Sequence, residues 1–173
     1  DSAYNWDVWN TALSSGYDLI LNTSAAQTSG RWSTTIPTAS LVTLKDTYEV
    51  NGTDKYIAYC FHSVEGYSKV GSYEGNANAD GTFVYTGFQP AYLLTKSIDG
   101  SYNWYQTDNK STPINVRDNV LYPDLNVAHG SSWPWVDFLS NGFKLRTSSS
   151  GVNNNTFIYL AFAESPFKYS NAR

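Results

Sequence analysis

The sequence predicts an all-β protein made of two similar, sandwich-like halves, and three observations carry that expectation. A six-residue apolar stretch, Tyr56 to Phe61 (YIAYCF), returns 101 positions later as Phe157 to Phe162 (FIYLAF). Each copy is rich in aromatic and aliphatic strand formers and too short for an ordinary helix, so both read as buried strands. Turn signals such as Asn51-Gly52, Asp99-Gly100 and Asn141-Gly142 punctuate the chain between short apolar runs. No window holds apolar residues at i, i+3, i+4 and i+7 between helix caps.

Taken in order, the first strand is Tyr4-Asn5-Trp6-Asp7-Val8-Trp9, whose opening returns as Tyr102-Asn103-Trp104, 98 positions on. The second is Tyr17 to Asn22, matched by Asn119 to Tyr122. Polar Ser, Thr and Ala stretches from Asn22 to Gly30 and from Thr34 to Ser40 read as loops. Leu41 to Leu44 regains strand character before the first apolar hexamer. Further strands are expected at Gly71 to Gly75, Thr82 to Thr86 and Tyr92 to Lys96. Val136 to Leu139 and Phe143 to Arg146 form a hairpin about Asn141-Gly142. Val50-Asn51-Gly52 matches Val152-Asn153-Asn154, and Leu44-Lys45 matches Leu145-Arg146. Residues 1–66 are thus a first repeat and 67–173 a second, packed as one β-rich unit of repeats about 100 residues long. The first copy lacks the leading strand that Tyr92 to Lys96 supplies in the second, so about thirty residues before Asp1 are expected to resemble Gly71 to Asp99.

Composition narrows the function. A net charge of −4 and a pI near 5.0 give no basic footprint for nucleic acid. No apolar run is long enough to span a membrane, and no signal-peptide pattern opens the chain. The single cysteine, Cys60, lies within the first hexamer and is expected to be buried; it offers neither a disulfide nor a CxxC pair. Sequons at Asn22, Asn51, Asn109 and Asn154 follow from an Asn-, Ser- and Thr-rich composition. No cofactor motif is present.

The chemistry-bearing candidates are few. Asn76, Asn78 and Asp80 trace the start of a calcium loop, but its twelfth position is Gly87 and not Glu, which favours a hairpin turn. The two histidines, His62 and His129, have no Gly-x-Ser-x-Gly elbow beside them. Asp7, Asp18, Glu65, Glu74, Asp124, Asp137 and Glu164 are available for a glycosidase pair, and none stands out. The repeat sorts the tryptophans. Trp6 matches Trp104 and Trp32 matches Trp133, which marks both pairs as core, whereas Trp9 and Trp135 face Thr107 and Thr34 in the other copy. Trp135, with Trp133, His129, Asp137 and Trp9, is therefore the candidate ligand surface, an aromatic platform of the kind that stacks on sugar rings, with covering the end of the sandwich as its plainer role.

Several motifs resemble an uncharacterised repeat domain found in large proteins of tailed bacteriophages, many of them marine. They are Tyr56 to Phe61 with Gly66-Tyr67-Ser68, Gly71-Ser72-Tyr73, Ala79-Asp80-Gly81, Phe83 to Phe88 and Asp137 to Arg146, with a closing Ala161 to Tyr169 and Asn171-Ala172-Arg173. The resemblance implies a non-enzymatic virion protein: the carboxyl-terminal part of a tail fibre or surface appendage, contacting host-surface glycans. It leaves open a capsid decoration or fibre-assembly role and a polysaccharide depolymerase. Its partners are other virion proteins, host glycans and, as is common for phage adhesins, further copies of itself.

Overall fold

In a computed structural model, residues 4–165 are described. The expected closing motif from Pro166 onward, like Asp1 to Ala3, lies outside them. Ten strands and two one-turn helices are present among the described residues: β1 (Asp7–Val8), β2 (Tyr17–Ile20), β3 (Thr28–Ser29), α1 (Tyr48–Asn51), β4 (Ser68–Glu74), β5 (Phe83–Tyr85), β6 (Pro90–Ser97), β7 (Tyr105–Asp108), β8 (Val136–Leu139), β9 (Gly142–Leu145), α2 (Ser150–Asn153) and β10 (Thr156–Ala163). They form three antiparallel sheets, ordered β1-β2-β3, β4-β10-β6-β7 and β5-β9-β8, so the all-β expectation holds.

The second apolar hexamer lies in β10, at the centre of the four-stranded sheet. β10 pairs with β4 from Thr156↔Glu74 to Phe162↔Ser68 and with β6 from Phe157↔Ser97 to Phe162↔Tyr92. One face of this sheet meets the β5-β9-β8 sheet across a core of Tyr73, Leu93, Phe143, Leu145, Phe157 and Tyr159, capped by Trp135. Alternation sends Phe157, Tyr159 and Ala161 to that core. Ile158 points the other way, into a second cluster with Leu13, Leu19, Ile98 and Trp104. That second cluster joins the amino-terminal sheet to the four-stranded sheet, because Leu19 lies on β2, Leu13 just before it, and Ile158 on β10.

Three sheet edges are sealed. On β4 the backbone of Val64 pairs with Ser68, the Ser63 hydroxyl bonds the amide and carbonyl of Val70, and Thr82 donates its hydroxyl to the Glu74 carbonyl. On β7 a short bridge joins Gln106 to Leu121. The β8 edge is closed by the Asn115 side chain, whose carbonyl accepts from the Phe138 amide while its NH2 donates to the Phe138 carbonyl. A side-chain amide there stands in for a neighbouring strand. Exposed strand edges invite pairing with other chains, and such plugs prevent it.

Four expectations are corrected. Tyr56 to Phe61 is not a buried strand: it has no strand partner, and all six residues are exposed. Cys60 is accordingly exposed. Trp6, read as core, is 51% exposed and stacks on Tyr59. Trp135, read as a loop platform, is wholly buried immediately before β8. Its indole stacks on Trp133 at 6.0 Å between centroids and contacts Tyr105 at 6.2 Å. Trp135 fills the interior because both faces of the chain are covered there: Val136 and Phe138 are buried on one side, and Asp137, on the side of Trp135, is held by Arg146.

Candidate functional site

The structure disperses the candidate surface drawn from the sequence. Trp133 is half-buried against Trp135 and Tyr105, and Trp9 stacks on Trp32 at 6.4 Å in the other half. Asp137 is buried on β8 and ion-paired to Arg146 at 2.8 Å. Only His129 lines an open cavity.

That cavity, of about 330 Å³, lies beside β7 and is lined by Gln106, Thr107, Ser111, Asn119, Val120, Leu121 and His129. Its walls arise from three stretches of chain held in register. Gln106 on β7 exchanges backbone hydrogen bonds with Leu121 at 2.9 Å in both directions, and Val120 does the same with Gly130 at 2.9 and 2.8 Å, which sets His129 beside the groove. Thr107 donates its hydroxyl to the Asn119 carbonyl, and Asn119 donates its side-chain NH2 to the Ser111 carbonyl. Asp108 fixes the adjoining turn. Burial works to raise its pKa, but the Ser111 and Lys110 amides, at 2.8 and 2.7 Å, outweigh that and hold the carboxylate below its usual range. The groove therefore has an apolar floor of Val120 and Leu121 and a rim of amide, hydroxyl and imidazole. Gln106 accepts a bond from the Tyr92 hydroxyl at 3.2 Å, leaving its NH2 at the rim. Neutral polar ligands with one apolar face suit such walls.

A second cluster was not singled out by spacing. Asp7 on β1, Asp18 on β2 and Arg31 just past β3 tie all three strands of the first sheet together. Arg31 Nε lies 2.7 Å from Asp7 and 2.8 Å from Asp18, and its terminal nitrogen donates to the Thr28 hydroxyl at 2.7 Å. Both carboxylates are buried, with side-chain exposures of 3% and 0%. Two acids share one guanidinium, so the cluster carries an excess negative charge. Desolvation by burial first, then the neighbouring Asp18, pushes the Asp7 carboxyl up to about 6. Asp7 Oδ2 and Asp18 Oδ1 are buried without a hydrogen-bond partner, so burial penalises the negative charge they carry.

The loop read as a weak calcium outline is a turn that satisfies itself. Asn76 Oδ1 accepts from the Asn78 amide, and Asn78 Oδ1 accepts from the Asp80 amide. The Asp80 carboxylate pairs with Lys144 at 2.7 Å. Behind the turn the buried Asn153 donates to Asn76 Oδ1 and to the carbonyls of Asn78 and Thr147, and accepts from the Asn76 amide. Gly75 lets that approach happen, since a Cβ there would stand 2.1 Å from the Asn153 carbonyl carbon. Among the described residues no group of three or more His, Cys, Asp or Glu side chains could hold a metal ion.

Antiparallel sheets around a polar-rimmed groove define a β-protein with a small surface site. Residues 1–166 match the family described as a domain of unknown function (DUF7483), and the chain belongs to that family. No curated protein and no solved structure matches the chain.

Proposed function

We propose that this chain is a non-enzymatic module of a bacteriophage virion appendage that meets host-surface glycans through the groove beside β7. The resemblance of its motifs to phage virion repeat domains supports the location. The observation that carries the binding role is the groove itself, in which Gln106 and His129 stand over Val120 and Leu121. A pyranose ring presents that combination of hydroxyls and an apolar face. Internal duplication, residues 1–66 against 67–173, is part of this reading, as is assembly with further copies and with other virion proteins. Matching ladders support the duplication: Val8↔Leu19 and Asp18↔Thr28 in the first half are matched by Gln106↔Leu121 and Val120↔Gly130 in the second. The one-turn helices α1 and α2 are likewise 102 positions apart.

Replacing Gln106 and His129 together by alanine is expected to weaken attachment to host-envelope fractions about tenfold or more, since each lost polar contact is worth about 0.5–1.5 kcal/mol. The change should leave thermal stability intact. Unchanged attachment rejects the groove as the site, and labelled protein spread over the phage head rejects the appendage reading. Head decoration or fibre assembly is the second reading, favoured by the exposed aromatic stretch Tyr56 to Phe61, which suits protein contacts better than sugars. A depolymerase finds less support. Asp7 and Asp18 are a close acidic pair, but they are sealed beneath the first sheet and engaged with Arg31.

A further inference from the structure

Every residue from Thr53 to Ser63 is exposed, and within that stretch Tyr56 to Phe61 has the composition of a core strand. Ile57, Tyr59 and Phe61 are 65%, 66% and 56% exposed, although Tyr59 stacks on Trp6 and Phe61 meets the Phe162 ring edge-on at 6.1 Å. Those two ring contacts fix the stretch against the body of the molecule. Among the described residues none hydrogen-bonds to a backbone amide or carbonyl between Tyr56 and Phe61. Free backbone groups beside strong strand formers, with no Pro, Gly or charge among them, are a template for a further strand.

Three features select a second copy of this chain as that strand. The stretch supplies both what it needs and what it offers, free donors and acceptors with apolar side chains, which is the condition for an isologous two-fold contact. Its flanking charges are complementary under that symmetry. Lys55 and Glu65 lie five positions to either side of Cys60, so an antiparallel copy centred on Cys60 brings each Lys55 to the Glu65 end of the other. The size also fits. Trp6, Tyr56, Ile57, Tyr59 and Phe61 together expose roughly 500 Å², since a large side chain presents about 150–250 Å² and these are about half uncovered. With the backbone of residues 53–63 this approaches the about 800 Å² that each partner buries in a standard interface.

We infer that Tyr56 to Phe61 is a self-association strand, which two copies of this chain pair antiparallel about a two-fold axis at Cys60. Tyr59 of each copy then lies opposite Phe61 of the other, and aromatic cross-strand pairs are among those that stabilise a ladder. Ile57 lies opposite Ser63, and Cys60 opposite Cys60. The inference rests on the assembly with further copies proposed above, to which it gives a surface, and not on the glycan groove.

Cys60 is the built-in reporter, being the single thiol of the chain. Facing residues of an antiparallel pair have Cα atoms about 4.5–5.5 Å apart, within the range of about 4.4–6.8 Å that a disulfide spans. Sedimentation equilibrium of the 173-residue chain under reducing conditions is expected to show a monomer–dimer equilibrium. Ile57→Lys sets a charge inside the new ladder and should weaken dimerisation by about 100-fold. The thermal midpoint of the dilute chain should not change, because Ile57 belongs to neither core cluster. Lys55→Glu should weaken dimerisation by about tenfold at low salt and much less at high salt. Oxidised glutathione should trap the parent chain as a Cys60-linked dimer, seen by intact mass, about tenfold or more faster than it traps Ile57→Lys. A parent chain that stays monomeric at millimolar concentration overturns the inference. So does a dimer that either variant leaves intact, or a Cys60 disulfide that forms equally fast in the parent and in Ile57→Lys, as random collision of exposed thiols would give. None of these results touches the groove, which is tested at Gln106 and His129; a monomer that still attaches to host-envelope fractions fails the self-association alone.

Discussion

Asp7 ties a single carboxyl to the stability of a whole sheet. Its pKa rises from 3.8 to about 6 in the folded chain because burial and Asp18 disfavour its charge. The folded state then binds more protons than the unfolded state between those values, so stability falls as pH rises from about 4 to about 6 and stays at the lower level above. Asp7→Asn removes the excess charge, and its thermal midpoint at pH 8 is expected to exceed that of the parent chain, with a flatter profile between pH 4 and pH 6. A lower midpoint at both pH values would show that the carboxylate is needed to hold Arg31. Asn153 acts at the same scale. Asn153→Ala removes the four hydrogen bonds that this buried side chain makes to Asn76, Asn78 and Thr147, and urea unfolding should show a loss of about 2–4 kcal/mol. The importance of neither residue was legible in the sequence. An Asp in a strand looks like any surface acid, and only the β1-β2-β3 register brings Asp7 and Asp18 beneath one arginine. Trp135 shows the same limit, since a Trp-Pro-Trp tripeptide puts both indoles on one side of the chain and gives no sign of which one is covered.

Elements were legible where pattern and turn chemistry agreed. The hairpin about Asn141-Gly142 and the strands near Gly71, Phe83 and Tyr92 stand where composition put them. The first apolar hexamer failed for a different reason. Its side chains satisfy every local criterion for a strand, but a strand exists only with a neighbour, and none of the described strands pairs with it. Edge sealing was also invisible, because it rests on single polar side chains. Asn115→Ala removes the amide that pairs with the backbone of Phe138, and it should cost about 1–3 kcal/mol and raise the tendency of β8 to pair with other chains. Light scattering during mild heating measures that tendency, and unchanged scattering would show that Arg117, which also bonds Val136, suffices.

At the scale of the molecule, the cluster of Leu13, Leu19, Ile98, Trp104 and Ile158 couples the first sheet to the second half. Trp104 adds a hydrogen bond from its indole nitrogen to the Ile20 carbonyl at 2.9 Å. Trp104→Ala is expected to uncouple the halves and turn one unfolding transition into two, seen as a calorimetric enthalpy exceeding the van't Hoff value. The sequence predicted two similar halves from its spacing, yet it gave no sign that Leu13 and Leu19 share a core with Ile98, Trp104 and Ile158, since residues such as Leu13 have no distinguishing neighbours. The groove escaped notice for the same reason: Gln106, Leu121 and His129 come from separate stretches and meet only through backbone pairing. The closed margins of β4 and β7 leave the four-stranded sheet blunt on both sides, so whatever meets it there does so through side chains and not by adding a strand.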